Sequence, residues 1–448
     1  MYHQKHLIIG AGPIGLAHAK ALKEHNISYD QVEADDDVGG NWYHGTYETA
    51  HIISSKKVTE YSDWPMPDTY PDFPSQQNML DYFRAYTQNF GLRENIEFNK
   101  KVVYVRPIEK NLWEVHFEDG ETRNYKGVLV CNGHHWKRRF PQYEGNFDGE
   151  WLHSKDYKRP EQLKGKRVLV IGGGNSACDI ASEAARVSQK AIMSMRSGVW
   201  FLPKTLLGQP LTDSPFQAAP IWLQRSLLRL MLKIVVGDLS KYGLQKPDYK
   251  IFDKHPTVST EVLHYIKHGR IEAKPAIKRL AGRKVIFEDG TSQNFDAIVC
   301  ATGYHVSYPF LPKELNRIDG SVVKVYAGSL LEDYKGLYLI GWAQARGGIG
   351  SLITPSADLL AKMIHLQDSI KPPLGLVIKQ TGEKLPTTHL VSPTEVKKRL
   401  KKANRRWWML EKVARRVDSK HQDFENKVLS TMPKETEKML KQQTMQVF

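Results

Sequence analysis

The chain has 448 residues, of which 41% are hydrophobic and 25% are charged. At ~100–200 residues per domain, this length and composition predict a globular protein of two or three domains and exclude a fibrous or disordered chain. The net charge of +15 favours an anionic partner such as nucleic acid, anionic lipid or a phosphate-bearing cofactor. The three cysteines, Cys131, Cys178 and Cys300, form no CxxC pair and no metal-ligand spacing, so we expect neither a disulfide framework nor a metal site.

The N-terminal residues predict the start of a nucleotide-binding unit. Lys5 to Ile9 has the pattern of a buried strand and lacks the segments of a secretion signal, so we expect a cytoplasmic protein. The strand is followed by Gly10-Ala-Gly12-Pro-Ile-Gly15 and then by a helical pattern. In such a loop the first glycine permits a tight turn, the second lets the backbone approach a pyrophosphate, and the third lets helix and strand pack closely.

The same pattern occurs a second time in the chain. Arg167 to Ile171 predicts a strand that leads into Gly172-Gly-Gly174-Asn-Ser-Ala177 and another helix. Each copy later has a Phe-Glu-Asp-Gly turn, at residues 117–120 and 287–290, followed by an apolar strand that ends in glycine. The duplication predicts an α/β protein with two Rossmann-like dinucleotide-binding domains, the second inserted into the first.

The residue near the end of the second strand of each copy predicts which nucleotide is bound. Glu33 lies 23 residues after Gly10, and a carboxylate there accepts a hydrogen bond from a ribose hydroxyl group. Arg196 lies 24 residues after Gly172, and its guanidinium group is suited to the ribose 2′-phosphate that distinguishes NADP from NAD. We therefore expect FAD in the first unit and NADPH in the second. The candidate cofactor-binding residues of the loops and strand ends are Gly10, Gly12, Gly15, Glu33, Gly172, Gly174, Asn175, Ser176, Ala177 and Arg196.

Between the two units lies Phe147-Asp-Gly149-Glu-Trp-Leu-His153-Ser-Lys-Asp-Tyr157-Lys158. This segment resembles the FxGxxxHxxx(Y/F)K fingerprint of class B flavin-containing monooxygenases. The likeness extends over about residues 5–370 and includes Gly39-Gly-Asn-Trp42 and Ala301-Thr-Gly-Tyr304, which add Gly40, Trp42, Thr302 and Gly303 to the candidate cofactor-binding residues.

The resemblance implies an NADPH-dependent flavoprotein monooxygenase. In that family NADPH reduces FAD, and O2 then forms a C4a-hydroperoxyflavin that oxygenates a soft nitrogen or sulfur nucleophile of a small organic substrate. A disulfide reductase, which shares the two-nucleotide plan, would need a redox cysteine pair that this sequence lacks. We expect His153 to orient the connection between the domains rather than to carry protons.

One departure from the family pattern concerns the flavin side of the site. The family usually has asparagine where this chain has Ile53, so we expect either that the stabilisation of the flavin peroxide is weakened or that the hydroxyl group of Ser54 or Ser55 takes over near the flavin. Two alternatives remain open. The first is a Baeyer–Villiger monooxygenase acting on ketones, although such enzymes usually have tryptophan at the position of Tyr157. The second is a degenerate flavoprotein that serves as a redox sensor or scaffold, which only Ile53 supports.

The predicted division of the chain is a FAD-binding domain over 1–159 and 300–390, an NADPH-binding domain over 160–299 with a helical insertion at about 200–250, and a basic amphipathic extension over 391–448. The extension has 15 Lys and Arg against 7 Asp and Glu. Segments 220–236 and 397–416 are candidates for peripheral membrane contact, although burial or a homodimer contact for the first and docking onto the domain for the second explain the patterns equally well. No pattern indicates a nucleic-acid-binding module.

Overall fold

The computed structural model describes residues 4–109 and 112–431. Within these residues the α-helices are α1 (Pro13–Glu24), α2 (Lys56–Thr59), α3 (Gln76–Asn89), α4 (Asn175–Val187), α5 (Ile221–Val235), α6 (Glu261–Lys267), α7 (Gly350–Asp368), α8 (Leu374–Gln380), α9 (Pro393–Arg405) and α10 (Trp407–Thr431). Shorter 3-10 turns lie at Arg93–Asn95, Pro160–Leu163, Leu211–Asp213, Pro215–Ala218, Leu239–Tyr242 and Lys313–Leu315.

Two five-stranded parallel sheets organise the protein. The first sheet has the order Leu337–Leu339, Gly127–Val130, His6–Ile9, Tyr29–Val32 and Ile96–Glu97. The second has the order Glu150–His153, Ala297–Cys300, Arg167–Ile171, Lys190–Ser194 and Ile271–Lys274. Because the order of corresponding strands is the same, the predicted duplication is confirmed at the level of topology.

Each parallel sheet has a three-stranded antiparallel sheet packed on one face and helices on the other. The antiparallel strands are Val102–Glu109, Leu112–Phe117 and Thr122–Tyr125 in the first case, and Ile277–Ala281, Lys284–Phe287 and Ser292–Asn294 in the second. Alternate residues of the central strand divide between the two layers. Ile8 packs towards the helices, whereas Leu7 and Ile9 pack towards the antiparallel sheet. The first parallel sheet with its two covering layers is called the first unit below, and the second parallel sheet with its two covering layers is called the second unit.

The strand Glu150–His153 lies in the second sheet, beside Ala297–Cys300. The predicted division at residue 159 places this strand with the FAD-binding domain, whereas its pairing places it in the second sheet. The chain enters the second unit before its glycine loop, because the strand at this edge comes from the connecting segment. In the first sheet the corresponding edge strand, Leu337–Leu339, comes from the end of the fold.

The predicted helical insertion at about 200–250 contains α5 and also a hairpin of Thr205–Leu206 with Gln209–Pro210. Phe201–Leu202 pairs with Thr257–Val258 where the insertion leaves and rejoins the second unit. The remaining short pairs are Lys137–Arg138 with Tyr304–His305, Ile318–Asp319 with Val322–Val323, and Gln344–Ala345 with Leu390–Val391.

The C-terminal extension forms α9 and α10, and its residues 432–448 lie outside the described residues. Ser392 caps α9 by accepting a hydrogen bond from the Glu395 backbone, with Pro393 at the first helical position. The predicted apolar stripe, which consists of Leu400, Ala403, Trp407, Leu410 and Ala414, packs against the core of the first unit. That stripe is therefore occupied within the protein, as in the docking alternative for segment 397–416. Along the described residues, no helix combines the length and the apolar content needed to cross a bilayer.

Candidate functional site

The first glycine loop has a conformation that only glycine permits at two of its positions. Gly10 has φ +106°, and a Cβ atom there would lie 2.7 Å from the carbonyl oxygen of Cys131. A Cβ atom on Gly15 would lie 2.0 Å from the carbonyl oxygen of Gly10, so the start of α1 packs directly on the loop. The free N–H groups at the beginning of α1 therefore face the carboxyl end of the first sheet, where a pyrophosphate can be held.

Glu33 lies against this loop, where the sequence predicted a ribose-binding acid. Its Oε2 atom accepts a hydrogen bond of 2.6 Å from the Ala11 backbone, and Oε1 accepts one of 3.1 Å from Asp35. Burial raises the pKa of this carboxyl group, while the backbone hydrogen bonds act in the opposite direction. The carboxylate is thus placed beside the phosphate-binding backbone, with lone pairs left to accept from a ribose hydroxyl group.

Gly40 and Gly12 bring two backbone segments together at the same place. A Cβ atom on Gly40 would lie 3.2 Å from the Gly12 α-carbon, and Gly39 donates to the carbonyl group of Ala11 at 3.0 Å. Trp42 follows in a π-helical turn at Asn41–Gly45, is half-buried, and packs against the core of the first unit.

Two buried polar atoms close to the first glycine loop have no hydrogen-bond partner among the described residues. They are Oδ1 of Asn132, next to Cys131, and Nε2 of His134. The Nδ1 atom of His134 donates to the carbonyl group of Gly341 at 2.6 Å, so Nε2 is left as an acceptor. Unpaired buried polar groups are costly in a folded protein, and a polar ligand such as FAD would satisfy them. The residues present therefore fit the flavin nucleotide.

The second glycine loop repeats the geometry of the first. Gly172 has φ +135°, and a Cβ atom there would lie 2.4 Å from the carbonyl oxygen of Ala301, which corresponds to Cys131. Ala177 replaces the third glycine, and its Cβ atom would lie 3.4 Å from a Cβ atom on Gly172, an ordinary van der Waals contact. No atom lies within 4 Å of a Cβ atom on Gly174, which leaves the beginning of α4 open to a nucleotide.

A segment from beyond the insertion crosses this second loop. The Asn175 side chain accepts from the Val258 backbone at 2.7 Å, and the Thr257 hydroxyl group donates to the carbonyl group of Gly173 at 2.7 Å. The predicted cofactor residue Asn175 is therefore engaged in holding the loop. The sequence did not predict Thr257 and Val258 as site residues, because they lie more than 80 positions from the loop that they contact.

Arg196 is exposed just beyond the second strand of the second sheet. Ser194 ends that strand, and its carbonyl group accepts a hydrogen bond of 3.0 Å from the Gly172 backbone. Arg196 follows two residues after Ser194 and is therefore close to the glycine loop. Among the described residues, no carboxylate forms a salt bridge with Arg196, and its guanidinium group is free to bind a phosphate.

The fingerprint residues connect the two units. Gly149 is required because a Cβ atom there would lie 2.7 Å from the backbone carbonyl oxygen of Asp296 and 2.5 Å from the Phe147 ring. His153 is fully buried, and its Nδ1 atom accepts from the Lys155 backbone at 3.1 Å. Its Nε2 atom must then carry the proton, which it donates to the carbonyl group of Gly303 at 3.0 Å. Burial lowers the pKa of His153, so the ring is a neutral structural group, consistent with an orienting role.

Thr302 and Gly303 are held by the same connection. The Thr302 hydroxyl group donates to the carbonyl group of Arg139, and the Gly303 carbonyl group also accepts from the Arg139 backbone at 3.0 Å. Gly303 has φ +80°. The two predicted residues therefore lie where the last strand of the second unit returns to the first.

An inter-unit cluster of five polar side chains binds α4 to the segments around it. The Tyr47 hydroxyl group donates to Asp179 at 2.7 Å and also contacts Ser176, another predicted cofactor residue. Glu183, which is 6% exposed, accepts from the hydroxyl groups of both Thr49 and Tyr157. The inter-unit cluster thus consists of Tyr47, Thr49, Tyr157, Asp179 and Glu183. Tyr47 lies 132 positions before Asp179, Thr49 lies 134 before Glu183, and Tyr157 lies 26 before Glu183, so sequence spacing could not reveal the contacts.

Ser54 and Ser55, predicted near the flavin, have protein partners. The Ser54 hydroxyl group lies 2.9 Å from that of Thr59, and the Ser55 hydroxyl group donates to Asp213. The Ser55 backbone also donates to Thr212 at 3.0 Å, which attaches this segment to the insertion. Among the described residues, no group of three or more His, Cys, Asp or Glu side chains could hold a metal ion.

A family described as flavin-binding monooxygenase-like matches residues 3–384. The chain belongs to this family. The protein is accordingly a flavoprotein monooxygenase, and the predicted cofactors FAD and NADPH, with O2 and a small-molecule substrate, are those of the family.

Relatives of this flavin-binding monooxygenase-like protein come from animals and plants. Flavin-containing monooxygenase 5 of Oryctolagus cuniculus is 33% identical over 392 residues, which cover 80% of this chain and 72% of that protein. Probable indole-3-pyruvate monooxygenase YUCCA9 of Arabidopsis thaliana is 34% identical over 319 residues, covering 68% and 75%. Among solved structures, OTEMO in complex with FAD and NADP has a TM-score of 0.73 at 17% identity, covering 90% of this chain and 97% of that one. The flavin-containing monooxygenase of Stenotrophomonas maltophilia has a TM-score of 0.64 at 23% identity, covering 82% and 99%.

Proposed function

We propose that this protein uses NADPH and O2 to oxygenate a soft nitrogen or sulfur nucleophile of a small organic substrate, with FAD in the first unit and NADPH in the second. The assignment of the two cofactors rests on one observation: the two glycine loops are alike, but the residues beside them at the end of the second strand carry opposite charges. Glu33 is bound to the first loop, whereas Arg196 lies beside the second and forms no salt bridge with any residue that the structure describes. A carboxylate would repel the 2′-phosphate of NADPH, whereas a guanidinium group would attract it.

The chain's own residues would bind and orient the cofactors rather than move protons. The chemistry that a bound flavin supplies is acceptance of hydride and activation of oxygen. The beginnings of α1 and α4 would hold the two pyrophosphates, and Thr257 and Asn175 would keep the second loop in place. The inter-unit cluster would fix the angle between the two loops, on which the distance between the nicotinamide and the flavin depends. Both ring nitrogens of His153 are engaged, so this residue would not act as an acid or base.

In this proposal each domain consists of one parallel sheet and the layers packed on it. The FAD-binding domain would comprise residues up to about 140 and from about 303 to 390, and the NADPH-binding domain would comprise the residues between. Ser54 and Ser55 would act near the flavin through oxygen lone pairs, because the Ser55 hydrogen is donated to Asp213.

The nature of the substrate is supported by resemblance. A relative in Macaca mulatta that is 31% identical is named dimethylaniline monooxygenase [N-oxide-forming] 2. A carbonyl substrate is the second candidate, because the Arabidopsis relative is named for indole-3-pyruvate. Baeyer–Villiger oxidation of ketones belongs to this second candidate. Product analysis distinguishes them: an N-oxide or sulfoxide supports the first, and an ester or a decarboxylated acid supports the second.

Gly174→Ala tests the position of NADPH without disturbing the fold. Since no atom lies within 4 Å of the new methyl group and the backbone at Gly174 has φ −84°, alanine is tolerated by the protein itself. It would, however, occupy the space of a pyrophosphate, so the KM for NADPH should rise at least tenfold while bound FAD and thermal stability are unchanged. An unchanged KM would contradict the assignment of this loop to NADPH.

The proposed location is cytoplasmic with peripheral membrane contact. Segment 220–236 keeps a broad exposed apolar face, whereas the stripe of α9 and α10 is packed on the first unit and leaves Trp408 and Met409 exposed beside it.

A further inference from the structure

The helix α5 has a broad apolar face that no described part of the protein covers. Trp222 is 66% exposed, Leu230 59% and Ile234 76%, and Leu227 is exposed beside them. At 100° per residue these four side chains fall on one side of the helix. Large apolar side chains exposed together on one side of a helix are typical of a surface that binds a protein or a membrane.

The opposite side of α5 is anchored, so the helix cannot rotate to bury the exposed face. Leu228 and Leu232 are buried in a cluster with Leu202 and Ile251. Arg225 donates to the carbonyl group of Ile251 at 2.8 Å and pairs with Asp253. The apolar face is therefore a fixed feature of the folded protein.

Another exposed apolar side chain lies close to α5, on the neighbouring hairpin. Leu207 is 95% exposed at the turn of the hairpin Thr205–Pro210, whose Leu206 packs on the same cluster as α5. Leu207 has φ +49°, a left-handed conformation that asparagine or glycine would adopt more readily. Leucine at this position neither favours the backbone conformation of the turn nor adds to the buried core.

Positive charge borders the apolar face. Arg229 and Lys233 are exposed at its edge, α5 contains no acidic residue, and among the described residues neither cation forms a salt bridge. Residues 200–254 carry eight Lys and Arg against four Asp. Apolar side chains including tryptophan, flanked by Lys and Arg, are typical of helices that lie in the surface of an anionic bilayer.

We propose that α5 and the Leu207 turn dock this protein onto anionic phospholipid membranes. A second copy of the chain is a poorer occupant, because a two-fold contact through this face would bring Arg229 and Lys233 of both copies together. Crossing the bilayer is excluded by length, since 15 residues of helix span about 22 Å and a membrane needs ~20 residues.

The docking surface is joined directly to the candidate site. Ile53 packs on the cluster beneath α5, and the neighbouring Ser55 is bound to Thr212 and Asp213 of the insertion. If the proposed function holds, membrane docking would bring the flavin side of the site close to amines or sulfides that partition into lipid.

Vesicle flotation of the FAD-loaded full chain tests the proposal. We expect binding to vesicles of phosphatidylcholine with 30% phosphatidylserine, and at least tenfold weaker binding to phosphatidylcholine alone. Leu230→Ser with Ile234→Ser, and separately Arg229→Glu with Lys233→Glu, should each weaken binding to the anionic vesicles at least tenfold. Lys398→Glu with Lys402→Glu on α9 makes the same change in net charge and is the matched control, which should change binding less than twofold.

Three results would overturn the proposal. The first is an absence of binding to anionic vesicles. The second is a loss of vesicle binding in the α9 control that equals the loss in the α5 variants. The third is a dimer, detected by light scattering, that Leu230→Ser with Ile234→Ser converts to a monomer without changing vesicle binding. FAD content and NADPH oxidation, measured on the same preparations, show separately whether the proposed function fails.

Discussion

Replacing Tyr157 by phenylalanine removes one hydroxyl group from the inter-unit cluster and leaves the ring in place. The Tyr157 side chain is fully buried, and burial together with Glu183 raises its pKa, so the hydroxyl group remains a donor. Among the described residues no Lys or Arg forms a salt bridge with Glu183, which therefore depends on Tyr157 and Thr49 for its hydrogen bonds.

The expected cost follows from the burial of the acceptor. A hydrogen bond to a charged group contributes about 1.5–3 kcal/mol, and an acceptor left unpaired in a buried site loses most of that amount. We therefore expect Tyr157→Phe to lower the free energy of unfolding by about 2 kcal/mol. Flavin reduction by NADPH should also become slower, because α4 would be held less firmly against the segments around Tyr47 and Thr49.

Urea unfolding, followed by circular dichroism, measures the first effect, and rapid mixing with NADPH measures the second. Tyr326→Phe is the matched control. Its ring is also buried, but its hydroxyl group lies 3.5 Å from Oε2 of Glu332, whose side chain is 39% exposed. The control should cost less than about 0.5 kcal/mol. Equal unfolding costs for the two variants would refute the reasoning about Glu183.

Three further predictions concern the cofactor, the flavin side of the site and the pH dependence of stability. Arg196→Ala should raise the KM for NADPH about ten- to hundredfold and leave the KM for NADH unchanged. The control Arg270→Ala, which changes another exposed arginine of the second unit, should alter neither KM. Parallel changes in KM for both cofactors would count against a contact with the 2′-phosphate. Ser55→Ala should increase the share of NADPH electrons recovered as hydrogen peroxide more than Ser62→Ala does, and equal shares would remove Ser55 from the flavin environment. Burial lowers the pKa of His18 from 6.5 to about 4, so between these values the unfolded chain binds one more proton there than the folded chain does. The free energy of unfolding should consequently fall by about 1.4 kcal/mol per pH unit as the pH is lowered, and urea titrations should show a shallower slope for His18→Gln; identical slopes would contradict a buried neutral ring.

The glycine loops were predictable because their requirements are local. Only glycine fits where a Cβ atom would meet the carbonyl oxygen of Cys131 or Ala301, so the spacing of Gly10 and Gly172 carries the geometry. Glu33 could likewise be placed, because the end of the second strand meets the loop in every sheet of this topology.

Other features depend on contacts between distant segments. Nothing in the spacing of Tyr157 and Glu183 indicates that they share a hydrogen bond, and nothing in residues 150–153 indicates which sheet they join. The apolar side chains of α5 extend around most of the helix, so the sequence could not predict that Leu228 is buried while Leu230 is exposed. Trp407 and Leu410 presented the same ambiguity, and there packing on the first unit determined the outcome.

The most direct test of the central claim is the fate of 18O2 in the purified protein. With FAD bound and NADPH supplied, thioanisole and N,N-dimethylbenzylamine should yield a sulfoxide or an N-oxide that carries one labelled oxygen atom, with one NADPH consumed for each product. Failure to retain FAD, or NADPH oxidation that returns all of the label as hydrogen peroxide and water, would contradict the account.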